Sequence, residues 1–247
     1  MKPTATVFGL HAVRALLEQR TRRVETLLVQ SGRRDDRLLE LLSLAERAGV
    51  PVETHAASQL DTLCSGARHQ GVVARIRVTG TRGEGALDEV LEQCQGSPLL
   101  LALDGVQDPH NLGACLRTAD AAGAAGVIVP RDRAAGLSAT VRKVASGAAE
   151  HVPLLQVVNL ARTLRDLRDR GLWIVGADAA AERTVYDADL KGPLVIVTGS
   201  EGTGLRRLTR EHCDLLVRIP MSGSVASLNV SVATGVLLFE AVRQRSS

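Results

Sequence analysis

A chain of 247 residues that is 45% apolar and 23% charged, with a net charge of +3, has the make-up of a water-soluble globular protein of one large or two modest domains. No apolar run reaches the length of a membrane span, no signal-peptide core follows the first six residues, and Cys64, Cys94, Cys115 and Cys213 stand far apart without a CxxC pair. Membrane-spanning, disulfide-framework and zinc-cluster classes are thereby set aside, and a cytoplasmic protein with reduced, mostly buried thiols is expected.

In chain order, Leu10 to Leu17 places Val13, Leu16 and Leu17 at helical spacing, and Val24 to Val29 reads as a strand. Asp35 and Asp36 open a helix with Leu38, Leu39, Leu42 and Ala45 as its expected inner face; Gly49 and Pro51 close it. Strands at Val50 to Glu53 and Gly71 to Val78 complete a small α/β unit. Thr79 to Gly85, with three glycines and no apolar residue, is the linker candidate, and an acidic helical stretch from Leu87 to Gln93 extends the connector. Strands then recur at Leu99–Leu103, Val127–Val129, Leu172–Val175, Leu194–Val197 and Leu215–Ile219, separated by helical segments. That alternation predicts a parallel sheet covered on both faces, with ligands beyond the C-terminal strand ends, where Gly199 and Pro220 lie.

Charge is uneven along this plan. Residues 1–82 carry 13 Lys+Arg against 8 Asp+Glu, or +5, and residues 83–247 carry 17 against 19, or −2. The first third therefore has either the footprint of a polyanion-binding surface or an ordinary solvated face.

Three segments carry the functional signal. Ile219 to Gly235 runs from a strand end through Pro220 and a Gly/Ser-rich turn into Ser227, Leu228 and Asn229, residue types suited to a helix N-terminus. Gly199-Ser-Glu-Gly-Thr-Gly204 is neither a Walker A loop nor a dinucleotide fingerprint, and by itself describes a tight turn. Asn111 stands near the start of a helix that also holds Arg117, which by default faces solvent. His110, after Asp108-Pro109, belongs to a turn with no visible acid–base partner.

Ile219–Gly235, Asn111-Leu-Gly-Ala-Cys-Leu-Arg117-Thr-Ala119 and Val197-Thr-Gly-Ser-Glu-Gly-Thr-Gly-Leu205 resemble, in order and at similar spacing, the third, first and second signature motifs of the SpoU/TrmH family of RNA ribose 2′-O-methyltransferases. His69-Gln70-Gly71 and the run from Leu103 to His110 also match the family's branch acting on guanosine in bacterial 23S rRNA, and the likeness covers nearly the whole chain. It implies a C-terminal α/β domain of the SPOUT type, with a trefoil knot and a parallel sheet, over residues 98–247. It also implies packing as a homodimer, a small ribosomal-protein-like RNA-binding domain over residues 1–78, and a linker over 79–97. The implied cofactor is S-adenosyl-L-methionine, cradled by main-chain groups of Gly199, Ile219 and Leu228, with Ser227 the weaker candidate. Asn111, Arg117, Glu201 and Asn229 are the implied catalytic residues, and no metal or membrane is involved.

Arg117 takes the key role in that comparison. Guanidinium stays protonated above pH 12, so orientation of the ribose hydroxyl and phosphate is the physically simpler task, with base action only in a strongly perturbing site. Glu201 could hold Arg117 or favour the sulfonium, and Asn229 could be a helix cap alone. With only Phe8, Trp173, Tyr186 and Phe239 as aromatics, RNA contact should lean on Arg, Lys and backbone groups. The resemblance points to the peptidyl-transferase P loop of 23S rRNA. A tRNA 2′-O-methyltransferase, a non-enzymatic rRNA-binding assembly factor and a nicotinamide-dependent oxidoreductase are the competing readings, the last lacking its glycine fingerprint.

Overall fold

The computed structural model describes residues 4–19, 24–64, 66–77, 81–94 and 96–246. The chain divides into two compact units, residues 1–79 and 80–247.

In the smaller unit, β1 (Thr4–Phe8), α1 (Leu10–Gln19), β2 (Val24–Gln30), α2 (Asp36–Arg47), β3 (Val52–His55), α3 (Ala57–Leu63) and β4 (Val72–Arg77) follow one another. The sheet order is β1-β4-β2-β3; β4 runs antiparallel to both its neighbours, and β2 pairs parallel with β3. Asp35 caps α2 by accepting from the Leu38 N–H at 3.1 Å, and Gly49 terminates it at φ 65°. The buried face of α2 is Leu38, Leu41 and Ala45. Leu42 is only partly buried, and Leu39 is 56% exposed, which corrects the expected inner face. Residues 38, 41 and 45 share one side of a 3.6-residue helix, and 39 falls on its flank. β1 and α3 were not legible: α3 buries only Leu60, which leaves no periodic signal.

The larger unit comprises β5 (Arg82–Gly83), α4 (Leu87–Glu92), β6 (Leu99–Asp104), α5 (Pro109–Ala121), β7 (Gly126–Pro130), α6 (Ala139–Ala145), β8 (Leu154–Val157), α7 (Leu160–Asp169), β9 (Trp173–Ala177), β10 (Leu194–Gly199), α8 (Arg207–Glu211), β11 (Leu215–Val217) and α9 (Val230–Arg245). The strands form one parallel sheet in the order β11-β9-β10-β6-β7-β8-β5. Side chains alternate between its faces. Leu99, Leu101 and Leu103 pack with α5, α6 and α9, whereas Leu100 and Ala102 pack with α4 and α7. All five strands expected from Leu99 onward are present, with β5 and β8 added. Residues 82–92, within the stretch read as a linker, are folded into this unit: Arg82 pairs with Leu155, and Leu87 and Val90 are buried. β11 ends at Val217, two residues short of the expected end, because Arg218 leaves the sheet to bridge Thr184.

Parallel strands put all their C-terminal ends on one edge. No helix among the described residues is long and apolar enough to cross a membrane.

Candidate active site

At that edge, β10 runs into a hairpin that folds back on its own strand. The Ser200 N–H donates to the Gly204 carbonyl at 3.2 Å, and the Gly204 N–H to the Ser200 carbonyl at 3.0 Å. Gly202 and Gly204 take left-handed φ values of 84° and 65°. Gly199 serves a different need. A Cβ there would sit 2.1 Å from the Gly204 carbonyl carbon and 2.4 Å from the Leu205 nitrogen, so the close approach is made by the chain itself.

The hairpin walls a cleft of about 410 Å³ that also takes in the segments after β9 and β11. Gly199, Ile219, Ser227 and Leu228 all line it, so the four residues expected to hold the cofactor are brought together, with Glu201 beside them. The volume lies within the range for a small-molecule site.

Asn111, Glu201 and Asn229, far apart in sequence, meet in one polar cluster. Asn111 Nδ2 donates to Glu201 Oε1 at 3.1 Å, and Asn229 Nδ2 donates to Asn111 Oδ1 at 3.0 Å and to Glu201 Oε1. Asn229 is the N-cap of α9: its Oδ1 accepts from the Ser231 N–H at 2.9 Å, leaving its amide NH₂ for the cluster. Arg117 is not brought to this cluster. It is exposed and has no hydrogen bond or ion pair among the described residues, so Glu201 does not hold it. Six residues along α5 put it roughly 120° around the helix from Asn111. His110 lies in the first turn of α5, where its N–H is capped by Asp108 at 3.0 Å.

Two ion pairs at this edge lacked a sequence signal. Asp104, the last residue of β6, has a fully buried side chain that accepts from the Arg206 N–H at 2.8 Å and from Arg206 Nε at 2.5 Å. It anchors the far end of the hairpin to the central strand. Asp178, lining the cleft after β9, pairs with Arg210 at 3.1 Å. No spacing pattern joins residues so far apart in the chain, although Asp104 stood in the run that matched the family. Asp104→Ala is expected to cost about 2 kcal/mol in urea denaturation, less than for a wholly buried pair because Arg206 is half exposed; Asp104→Asn should cost less, since it can still accept from the Arg206 N–H.

Burial raises the pKa of all four thiols. It pushes Cys213 up to about 12 and Cys115 up to about 11, so both stay protonated at neutral pH. No group of three or more His, Cys, Asp or Glu that could hold a metal ion occurs among the described residues.

In the smaller unit, His69-Gln70-Gly71 ties together α3, the start of α1 and the loop after β2. His69 Nδ1 accepts from the Gly71 N–H at 2.9 Å, so Nε2 carries the proton and donates to Asp61 Oδ1 at 3.0 Å. Gln70, at φ 51°, accepts from the Leu10 N–H through its side chain and from the Arg33 guanidinium through its carbonyl. Arg33, paired also with Asp35 at 2.5 Å, is part of this brace, while Arg34 is exposed with no partner among the described residues. Arg22 and Arg23 lie outside the described residues.

A doubly covered parallel sheet with a glycine-hairpin cleft at its C-terminal edge defines an α/β protein built to hold a nucleotide-sized ligand. The family model for SpoU rRNA methylases matches residues 98–239, and that for the substrate-binding domain of RNA 2′-O ribose methyltransferases matches residues 6–78. The chain belongs to the SpoU methylase family. It is 59% identical over 240 residues to the 23S rRNA (guanosine-2′-O-)-methyltransferase RlmB of Pseudomonas aeruginosa, covering 97% of this chain and 96% of that one. Among solved structures, the SpoU methyltransferase AviRb of Streptomyces viridochromogenes in complex with AdoMet is similar at TM-score 0.73 and 27% identity, over 98% of this chain and 91% of that chain. An AdoMet-bound rRNA methyltransferase of Sinorhizobium meliloti is similar at TM-score 0.73 and 27% identity, over 97% and 87%.

Proposed function

We propose that this protein transfers a methyl group from S-adenosyl-L-methionine to the ribose 2′-oxygen of a guanosine in 23S rRNA, at the peptidyl-transferase P loop. The observation that carries the reading is the Asn111–Glu201–Asn229 cluster, whose Glu201 lines the hairpin cleft, supported by near-full-length likeness to relatives named for that activity.

The cleft fits the cofactor. Besides its size, it is lined by Thr198, whose buried hydroxyl has no hydrogen-bond partner among the described residues, and by the Glu201 carboxylate, which suits a cationic sulfonium. When bound, the cofactor supplies an electrophilic methyl group. The main chain of Gly199, Ile219 and Leu228 binds it and leaves the Ile219 and Leu228 side chains free to pack, with Ser227 the weaker contact. Asn111 and Asn229 hold the Glu201 carboxylate in one orientation through their amide NH₂ groups. Arg117, remaining a guanidinium, orients the 2′-hydroxyl and an adjoining phosphate, so positioning supplies most of the acceleration.

The homodimer is part of the same reading. α9 is apolar around most of its circumference, and Val232 (52% exposed) and Phe239 (48%) share a face with Val236, which favours a covering partner. Arg117, turned away from its own chain's cluster, is suited to serving a second copy's site. The knot expected for residues 98–247, the RNA-binding role of residues 1–78 and a cytoplasmic location belong to this proposal, with Arg34 among the exposed cations available to phosphate.

The test is methyl transfer from labelled S-adenosyl-L-methionine to 23S rRNA and tRNA transcripts. Methylation of 23S rRNA alone is expected, and removing residues 1–79, the smaller unit, should leave cofactor binding intact while strongly reducing methylation. Equal methylation of both RNAs would overturn the substrate choice, RNA binding without transfer would leave an assembly factor, and a monomer in light scattering would overturn the dimer.

A further inference from the structure

Thr198 occupies the penultimate position of β10 and is 2% exposed. Its Oγ1 is buried and has no hydrogen-bond partner among the described residues. Such an orphaned hydroxyl costs free energy that a valine of nearly the same volume would avoid, while fitting the run Leu-Val-Ile-Val before it equally well. The residue also lines the cleft, whose wall includes the apolar Val217, Val230 and Ala233 and the charged Asp178, Glu201, Arg210 and Arg218.

We infer that the Thr198 hydroxyl is a binding group for the adenosyl half of the cofactor. This rests on the cofactor reading above and adds a contact made by a side chain. The hydroxyl is neutral, and the residue is buried in the cleft wall with Leu103 as its partner on the neighbouring strand. Such surroundings suit an uncharged heterocycle and ribose, whereas the charged amino and carboxylate groups of a methionine tail would be heavily penalised there. A bound adenosyl group would give Oγ1 the partner that the protein does not, so the cost of burying it is recovered only in the complex. The hydroxyl can both donate and accept, which matches the mixed ring nitrogens, amine and hydroxyls of an adenosine.

The deciding experiment uses the full chain and two readouts that need no turnover. Thr198→Val without ligand should unfold at the same temperature as the parent or higher, because an unsatisfied buried group is gone. In calorimetry the same variant should bind S-adenosylhomocysteine and adenosine roughly three- to tenfold more weakly, the worth of one neutral hydrogen bond. Thr198→Ser should bind both within about twofold of the parent despite any loss of stability, since it keeps the hydroxyl. Parent-like affinity in the valine variant overturns the inference, as does a lower unfolding temperature with unchanged affinity. A loss confined to S-adenosylhomocysteine, with adenosine binding unaffected, overturns the adenosyl assignment. Failure of the parent itself to bind S-adenosylhomocysteine would instead remove the cofactor reading on which the inference depends.

Discussion

Arg117→Ala is expected to lower methyl transfer to 23S rRNA by about a thousandfold, the scale of removing a preorganised charge from a transition state, with cofactor affinity changed less than about twofold. The asymmetry follows from where the residue sits. It is exposed, holds no partner among the described residues, and lies outside the residues lining the cleft, so neither the fold nor the pocket depends on it. Alanine is also at least as good a helix former as arginine in α5. If each site combines the Asn111–Glu201–Asn229 cluster of one chain with the Arg117 of a second, mixing Arg117→Ala and Asn229→Ala chains should restore activity that neither has alone. In the mixed dimer one of the two sites is intact. Near-normal turnover by the Arg117 variant would sink the catalytic role, and failure of complementation between variants that do form mixed dimers would sink the shared site.

The large sheet was legible because its strands are apolar runs buried on both faces, each bounded by a helix-period segment; Leu99–Leu103 and Leu194–Val197 could be little else. What escaped were short or edge elements. β5 has two residues, and Arg82 and Gly83 carry no strand preference of their own; only pairing with β8 makes them one. α3 buries a single leucine. The cleft was legible in part. Gly199, Ile219, Ser227 and Leu228 belonged to recognisable segments, but nothing in a linear chain says that residues 111, 201 and 229 share hydrogen bonds. Nor could it show that Asn229 caps α9 and joins that cluster at once, since that depends on which end of one amide faces the helix. The +5 charge of residues 1–82 likewise could not show that Arg33 is committed to Asp35 and the Gln70 carbonyl.

Gly199→Ala is expected to be the most damaging single methyl group that can be added at the cleft. The new carbon would lie 2.1 and 2.2 Å from the carbon and oxygen of the Gly204 carbonyl and 2.4 Å from the Leu205 nitrogen, all main-chain atoms of the returning hairpin. No rotamer change relieves such an overlap. The hairpin must lift away, and with it the Ser200–Gly204 bonds, the position of Glu201 and one wall of the cleft. Overpacking of this kind costs about 3 kcal/mol or more. Gly202→Ala provides the comparison from the same loop. It meets no atom within 4 Å, so only its left-handed backbone, at φ 84°, opposes a side chain, at about 1–2 kcal/mol. Urea denaturation should therefore rank the two variants clearly. Calorimetry with S-adenosylhomocysteine should show binding lost in Gly199→Ala and retained, within about threefold, in Gly202→Ala. A Gly199→Ala protein with parental stability and affinity would mean that the hairpin does not close on its own strand in solution, and the cleft built on that closure would have to be abandoned.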